Sequence, residues 1–170
     1  MVFIPAGEFI MGTNKVDKEE THKKIGAVKP LYLDQHPEQK LFLDSYYIDK
    51  YEVNNEEYSR FLNANEFTDI PAHWENGVFP EGQEYHPVTQ VTWWEAWSYC
   101  QWSDKQLPTE AQWEKAARGT DGLRFPWGEE DADCEFANYG LMNEQCVGDT
   151  VPVGSFPKGC LLYTSPSPRD

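Results

Sequence analysis

Cysteine and histidine carry most of the chemical reach in this chain, and their spacing decides what they can do together. Four cysteines stand at Cys100, Cys134, Cys146 and Cys160, an even number that fits a disulfide framework. Cys134 and Cys146 flank a polar, turn-rich loop. A bridge between them closes a short loop and stabilises by about 2–3 kcal/mol on the chain-entropy model. The rival reading is a pair of metal thiolates, but no further Cys or His stands at zinc-like spacing. His22, His36 and His86 show no ligand spacing, and neither a Ser–His–Asp nor a Cys–His triad can be assigned. "GTDG", which follows Arg118, reads as a helix stop and turn rather than a loop that cradles phosphate.

Acidic residues outnumber basic ones by 29 to 14, a net charge of −15. A phosphate backbone needs a basic face, so nucleic acid is excluded as an expected partner. The acid is read mainly as a solvated surface, with calcium, which takes oxygen ligands, as the ion some of it could hold. No run approaches the roughly 20 apolar residues of a membrane span, and "MVFIPAGEFIMG" reads as strand, turn and strand rather than as a secretion signal. The compartment stays open between extracytoplasmic and bacterial cytoplasmic, and the chain is expected to be a monomer.

The elements that must position these residues are short. Hydrophobic residues are only 39% of the 170, but aromatics reach 15%, and 12 Gly and 12 Pro imply many turns. Each aromatic side chain buries about 150–250 Å², so a few of them can fill a core. Residues 2–13 are expected to form a hairpin around "PAGE", and the lysine-rich residues 14–29 a mobile surface loop. "QKLFLDSYYIDKYEV" reads as strand, turn, strand. Three helices follow. In "VNNEEYSRFLNAN", Asn54 or Asn55 caps a helix with Tyr58, Phe61 and Leu62 on one face. In "VTWWEAWSYCQW", Thr92 and Glu95 fit a capping box, and Trp93, Ala96, Trp97 and Cys100 form a core-facing stripe. In "LPTEAQWEKAARG", Thr109 and Gln112 form a second capping box, and Gly119 ends the helix in the left-handed region. From Asp121 onward the chain reads as loop with aromatic anchors. Without βαβ alternation, this pattern argues for an α+β domain.

"VFIPAGEFIMGT", "YYIDKYEVNNEEYSRFL", "HPVTQVTWWEAWSYCQW", "QLPTEAQWEKAARGTDG", "FPWGEE", "ANYG" and "DTVPVGSFP" follow one another over nearly all of residues 2–157. In that order they resemble the formylglycine-generating enzyme family, also called the sulfatase-modifying factor family. The resemblance implies a C-type-lectin-like α+β fold with short sheets, about three helices and much irregular loop. It also implies that Trp93, Trp97 and Trp113 pack the core rather than stack on a ligand. The family's chemistry is oxidation of a peptidyl cysteine to formylglycine with molecular oxygen, at a copper-binding cysteine pair in its C-terminal part. A cysteine-containing peptide or a sulfatase is then the expected partner of the active parent.

Neither that cysteine pair nor the "GLYDMxGNVWEW"-like phrase before it occurs here. "CLLYTSPSPRD" after Gly159 resembles a translated sequencing adapter, of the kind found at the ends of bacterial metagenomic gene fragments. The organisation expected is therefore a truncated domain portion over residues 1–159 and a non-native tail over 160–170. Cys100 is left unpaired on this reading, or is simply a buried thiol. The resemblance further implies a structural calcium held by the Asn138 side chain and the carbonyls of Tyr139 and Val147, with Gln145 or Asp149 near the family's acidic ligand. Where the family's substrate groove would lie, His73, Trp74, Glu75 and Tyr85 are candidate pocket residues, although Trp74 and Tyr85 could equally cover the core. The parent is expected to be a formylglycine-generating oxidase whose catalysis this chain lacks, with marginal stability. The alternatives are a non-enzymatic binding or scaffold module, kinase-associated or at a cell surface, and an ergothioneine-type sulfoxide synthase.

Overall fold

β1 (Val2–Ile4) and β2 (Gly7–Met11) run one after the other along a bent two-stranded ribbon. Their antiparallel partners are β4 (Tyr46–Ile48) and β3 (Gln39–Leu43). β1 pairs with β4 and β2 with β3, and the register set by Val2 opposite Ile48 continues unbroken to Met11 opposite Gln39. The hairpin expected within residues 2–13 does not form. Pro5 has no N–H for a ladder and a fixed φ, so it interrupts the pairing without reversing the chain. The strand, turn, strand pattern expected over "QKLFLDSYYIDKYEV" is present as the opposite side of the ribbon.

The computed structural model describes residues 1–18, 20–24, 28–30, 32–65, 70–138, 140–141 and 144–159. They divide into a first unit (Met1–Lys50, Thr109–Gly148 and Phe156–Asp170) and a second (Tyr51–Pro108 and Asp149–Ser155).

In the first unit the ribbon alternates as a half-buried sheet should. Ile4 and Phe9 are fully buried, while Phe3, Phe42 and Tyr47 are exposed on the other face. α4 (Glu110–Arg118) packs against β2, and its Ala116 and Ala117 are buried. Its capping box forms as expected, with Thr109 Oγ1 accepting from Gln112 N and the Gln112 side chain accepting from Thr109 N. Gly119 ends α4 at φ +68°, ψ −161°. The positive φ was expected, but this ψ lies outside the left-handed helical region, in one that glycine alone enters at low cost. The segment read as a mobile loop contains one helical turn, α1 (Thr21–Lys24). There His22 Nδ1 meets Asp17 Oδ2 at 2.6 Å with both side chains largely buried. β5 (Gly140–Leu141) and β6 (Glu144–Gln145) form a two-residue antiparallel ladder where only loop was expected.

The second unit is built on α2 (Asn55–Asn65) and α3 (Trp93–Trp102). Asn54 caps α2, since its Oδ1 accepts from Glu57 N while Glu57 Oε2 accepts from Asn54 N. Tyr58, Phe61 and Leu62 enter the core as expected, with Trp74 and Tyr99. The Thr92–Glu95 capping box also forms. The expected stripe on α3 does not. Trp93 and Trp97 are 59% and 40% exposed, and Tyr99 is the buried residue of the helix. Trp113 on α4, expected in the core, is also exposed. Seven of the ten residues of "WWEAWSYCQW" are apolar or aromatic, so no polar face fixes the helix's rotational phase. Stacking of Tyr99 on Tyr58 at 5.8 Å and edge-on against Phe61 at 5.6 Å sets it instead.

Among the described residues the result is an α+β fold of small antiparallel ladders, three helices of 9 to 11 residues and much loop.

Candidate functional site

In the first unit, Cys134 and Cys146 form the expected disulfide, with Cα atoms 5.3 Å apart. It closes the loop that holds β5 and β6. Two rings upstream and one inside the loop stack in parallel: Phe125 on Trp127 at 4.8 Å and Trp127 on Phe136 at 4.9 Å. A cation covers each end, Arg124 over Phe125 at 4.7 Å and Lys158 over Phe136 at 5.8 Å. Each cation also has an acidic partner, Asp131 for Arg124 and Glu135 for Lys158. Stacked rings and cations on ring faces are attractive through the ring quadrupole. This column is what orders an otherwise irregular segment.

Asn138 lies within the disulfide-closed loop, and its Oδ1 accepts from Val147 N, just beyond Cys146, at 3.2 Å. Tyr139 lies outside the described residues, and so does the side chain of Gln145. Asp149 falls in the second unit, where its Oδ1 accepts from Thr150 N. Calcium takes 6–8 oxygens, usually including carboxylates. Among the described residues no three His, Cys, Asp or Glu come together to hold an ion. The expected calcium ligands are an amide and backbone carbonyls, of which only Asn138 and Val147 lie among the described residues, and no role is derived for calcium here. What the geometry does show is a brace: one side-chain amide ties the two ends of the disulfide loop.

In the second unit the four expected pocket residues are not equivalent. Trp74 is a core residue, 5% exposed, against Tyr58 and Phe79. The His73 ring stands edge-on to it at 6.5 Å. Glu75 is exposed and bridges to Val78 through its backbone. Tyr85 is 60% exposed, and its carbonyl accepts from Val153 N. Nearby, His86 Nδ1 meets Thr150 Oγ1 at 2.8 Å, joining the "HPVT" and "DTVPVG" phrases. Cys100, which is not disulfide-bonded, is half-buried and packs against the aromatic cluster.

Copper chemistry of the kind the resemblance implies needs two thiolates. Among the described residues Cys134 and Cys146 are bonded to each other, and Cys100 is the one cysteine outside a disulfide. These residues do not fit a two-thiolate copper site, so no catalytic step is derived through one.

The polar residues that organise the first unit were not singled out from sequence. Lys115 is fully buried, its Nζ donating to Pro5 O at 2.8 Å and Gly7 O at 3.0 Å, so it grips both sides of the ribbon's break. Burial pushes its pKa down from the ordinary lysine value. Arg118 donates to the carbonyls of Gly12, Gly122 and Leu123 and pairs with Glu114, whose Oε1 also accepts from Gly12 N. The Glu114–Arg118 spacing of four was a visible signal for that pair. Nothing in the sequence marks Lys115 as buried.

Residues 1–163 match the model of the sulfatase-modifying factor enzyme 1-like domain. The chain is 32% identical to the formylglycine-generating enzyme of Bos taurus, over 96% of this chain and 54% of that enzyme. It is 34% identical to the serine/threonine-protein kinase Pkn1 of Chlamydia trachomatis serovar L2, over 96% of this chain and 26% of the kinase. With the hercynine oxygenase of Mycolicibacterium smegmatis it shares 28% identity, over 95% of this chain and 41% of that enzyme. The chain thus spans from about a quarter to about half the length of these relatives.

Proposed function

The chain belongs to the sulfatase-modifying factor enzyme 1-like domain family, and from that premise we propose that it supplies scaffold to an oxidase that converts a peptidyl cysteine to formylglycine, without itself carrying the oxidising centre. The match to a formylglycine-generating enzyme along 96% of the chain supports the reaction class. The thiol inventory supports the division of labour and is the observation that carries it. Two of the three described cysteines are joined in a disulfide, which leaves one thiol, Cys100, where a two-thiolate centre needs two. The chain's own residues contribute rigid aromatic packing and a braced, disulfide-closed loop.

The test is incubation of the purified chain with copper, oxygen and a cysteine-containing sulfatase peptide, followed by mass spectrometry. The peptide is expected to stay unconverted. Formation of the aldehyde residue by this chain alone would overturn the proposal.

A second reading has an observation in its favour. The match to the Chlamydia kinase covers nearly all of this chain but only 26% of the kinase, which suits a module joined to other domains for binding or scaffolding. Copper-dependent conversion of a cysteine peptide by a longer polypeptide carrying this sequence would refute it. The sulfoxide synthase reading rests on the weaker 28% identity, and the described residues bring no three metal-ligating side chains together.

A further inference from the structure

The single turn Pro157–Gly159 is seated on the two residues that follow Cys134. Lys158 Nζ meets Glu135 Oε2 at 3.1 Å and stands 5.8 Å over the Phe136 ring. Gly159 N donates to Phe156 O at 3.0 Å, which closes the turn. A Cβ built on Gly159 would overlap the Phe136 carbonyl oxygen, so backbone lies against backbone and space demands glycine.

Glu135 and Phe136 must stay in place for the turn to dock. Hydrogen bonds from Glu135 N, Phe136 N and Ala137 N all end on Asp133, so they shape this stretch without anchoring it to another element. Its anchors include the ring column through Phe136, the Asn138–Val147 hydrogen bond and the Cys134–Cys146 bridge. The β5–β6 ladder inside the loop has two residue pairs, too few to hold the loop closed by itself. The Lys158–Glu135 pair is exposed on both sides, and such pairs contribute little alone. The bridge is the covalent member of this set and lies at the surface, with Cys134 exposed and Cys146 half-buried. It is the member that a reductant removes.

We propose that the Cys134–Cys146 bridge is a redox latch, whose opening by a dithiol reductant releases the Pro157–Gly159 turn from Glu135 and Phe136. One reductant thiolate attacks a bridge sulfur to give a mixed disulfide, and the second thiolate then displaces the protein sulfur. The reductant leaves as a disulfide, and two electrons and two protons stay on the protein as the Cys134 and Cys146 thiols. Release is local, because α4 and the ribbon are joined by contacts that do not involve the loop. Lys115 Nζ holds Pro5 O and Gly7 O, and Arg118 holds Gly12 O.

Endoproteinase Lys-C, which cuts after lysine, tests this, since a protease needs several residues extended and undocked. The whole chain is digested either as purified or after reduction with dithiothreitol and capping with iodoacetamide, and fragments are followed by mass spectrometry. Cutting between Lys158 and Gly159 should rise at least about tenfold on reduction, while cutting after Lys40, in β3, stays unchanged. An unchanged rate at Lys158, or an equal rise at Lys40, would overturn the proposal. Capping of Cys134 or Cys146 before any reduction would do the same. Gly159→Ala supplies a second readout that leaves the bridge intact. Its added methyl should undock the turn, so the oxidised variant should be cut after Lys158 as fast as the reduced, unmodified protein. A variant that stays protected would contradict the docking on which the latch depends.

Discussion

Lys115 shows how one residue can decide a fold's local geometry against its own solvation. A buried ammonium loses hydration, and two backbone carbonyls replace only part of it. In return, Pro5 O and Gly7 O, which sit at the break in the ribbon, gain a donor. Lys115→Met keeps the stem but orphans both carbonyls, at about 1–3 kcal/mol for a buried unsatisfied group. We expect a net loss of about 2 kcal/mol near neutral pH, because removing the desolvation penalty offsets only part of that cost. The pH dependence has a definite sign. Burial lowers the folded-state pKa below the ordinary 10.5, so between the two values the unfolded chain holds more protons. Stability therefore rises with pH across that window. The difference in unfolding free energy between the unmodified protein and Lys115→Met, measured by urea titration from neutral pH to about 10.5, should widen as pH rises. A difference that narrows would show that the ammonium is stabilised in place.

At the scale of elements, order in the long loop is the feature least expected from helix and strand propensity. The ring column from Phe125 through Trp127 to Phe136 and the Cys134–Cys146 bridge act on one segment. Trp127 is the central layer, so replacing it removes two stacking contacts at once. At roughly 0.5–1.5 kcal/mol for each aromatic pair, Trp127→Ala should cost about 1–3 kcal/mol. It should also speed reduction of the disulfide by dithiothreitol, because a loosened loop exposes the sulfurs. An unchanged reduction rate would mean that the column and the bridge order the loop independently. The caps, by contrast, were legible in the sequence: Asn54, Thr92 and Thr109 each stand three residues before a Glu or Gln, and each forms its box. Capping depends on local spacing, which a sequence displays directly. The phase of α3 depends on which aromatic ring stacks on Tyr58, a long-range choice that local spacing does not contain. The same distinction separates the disulfide, legible from two cysteines around a turn-rich loop, from the misjudged hairpin, whose true partners run from Ile48, opposite Val2, to Gln39, opposite Met11.

For the whole molecule, family and fold class could be read from seven phrases in order, because together they span nearly all of residues 2–157 and carry two of the capping boxes, Thr92–Glu95 and Thr109–Gln112. The exposure of Trp93, Trp94, Trp97 and Trp113 could not, since burial of a large side chain depends on what faces it. Charge adds a property that no single contact reveals. Even if all 14 basic residues were paired, 15 carboxylates would remain without a cation. Exposed pairs such as Lys40–Glu8 and Arg60–Glu56 contribute about 0–1 kcal/mol each, and salt weakens them. Salt also weakens the repulsion among the excess carboxylates, which acts over the whole compact surface. The second effect should win because the excess exceeds the number of cations available to pair. Raising sodium chloride from about 0.01 M to about 1 M shortens the screening length from roughly 30 Å to 3 Å, and Tm should rise with it. A Tm that falls over the same range would mean that the ion pairs outweigh the net repulsion. The acidic surface would then be organised around its lysines and arginines rather than simply solvated.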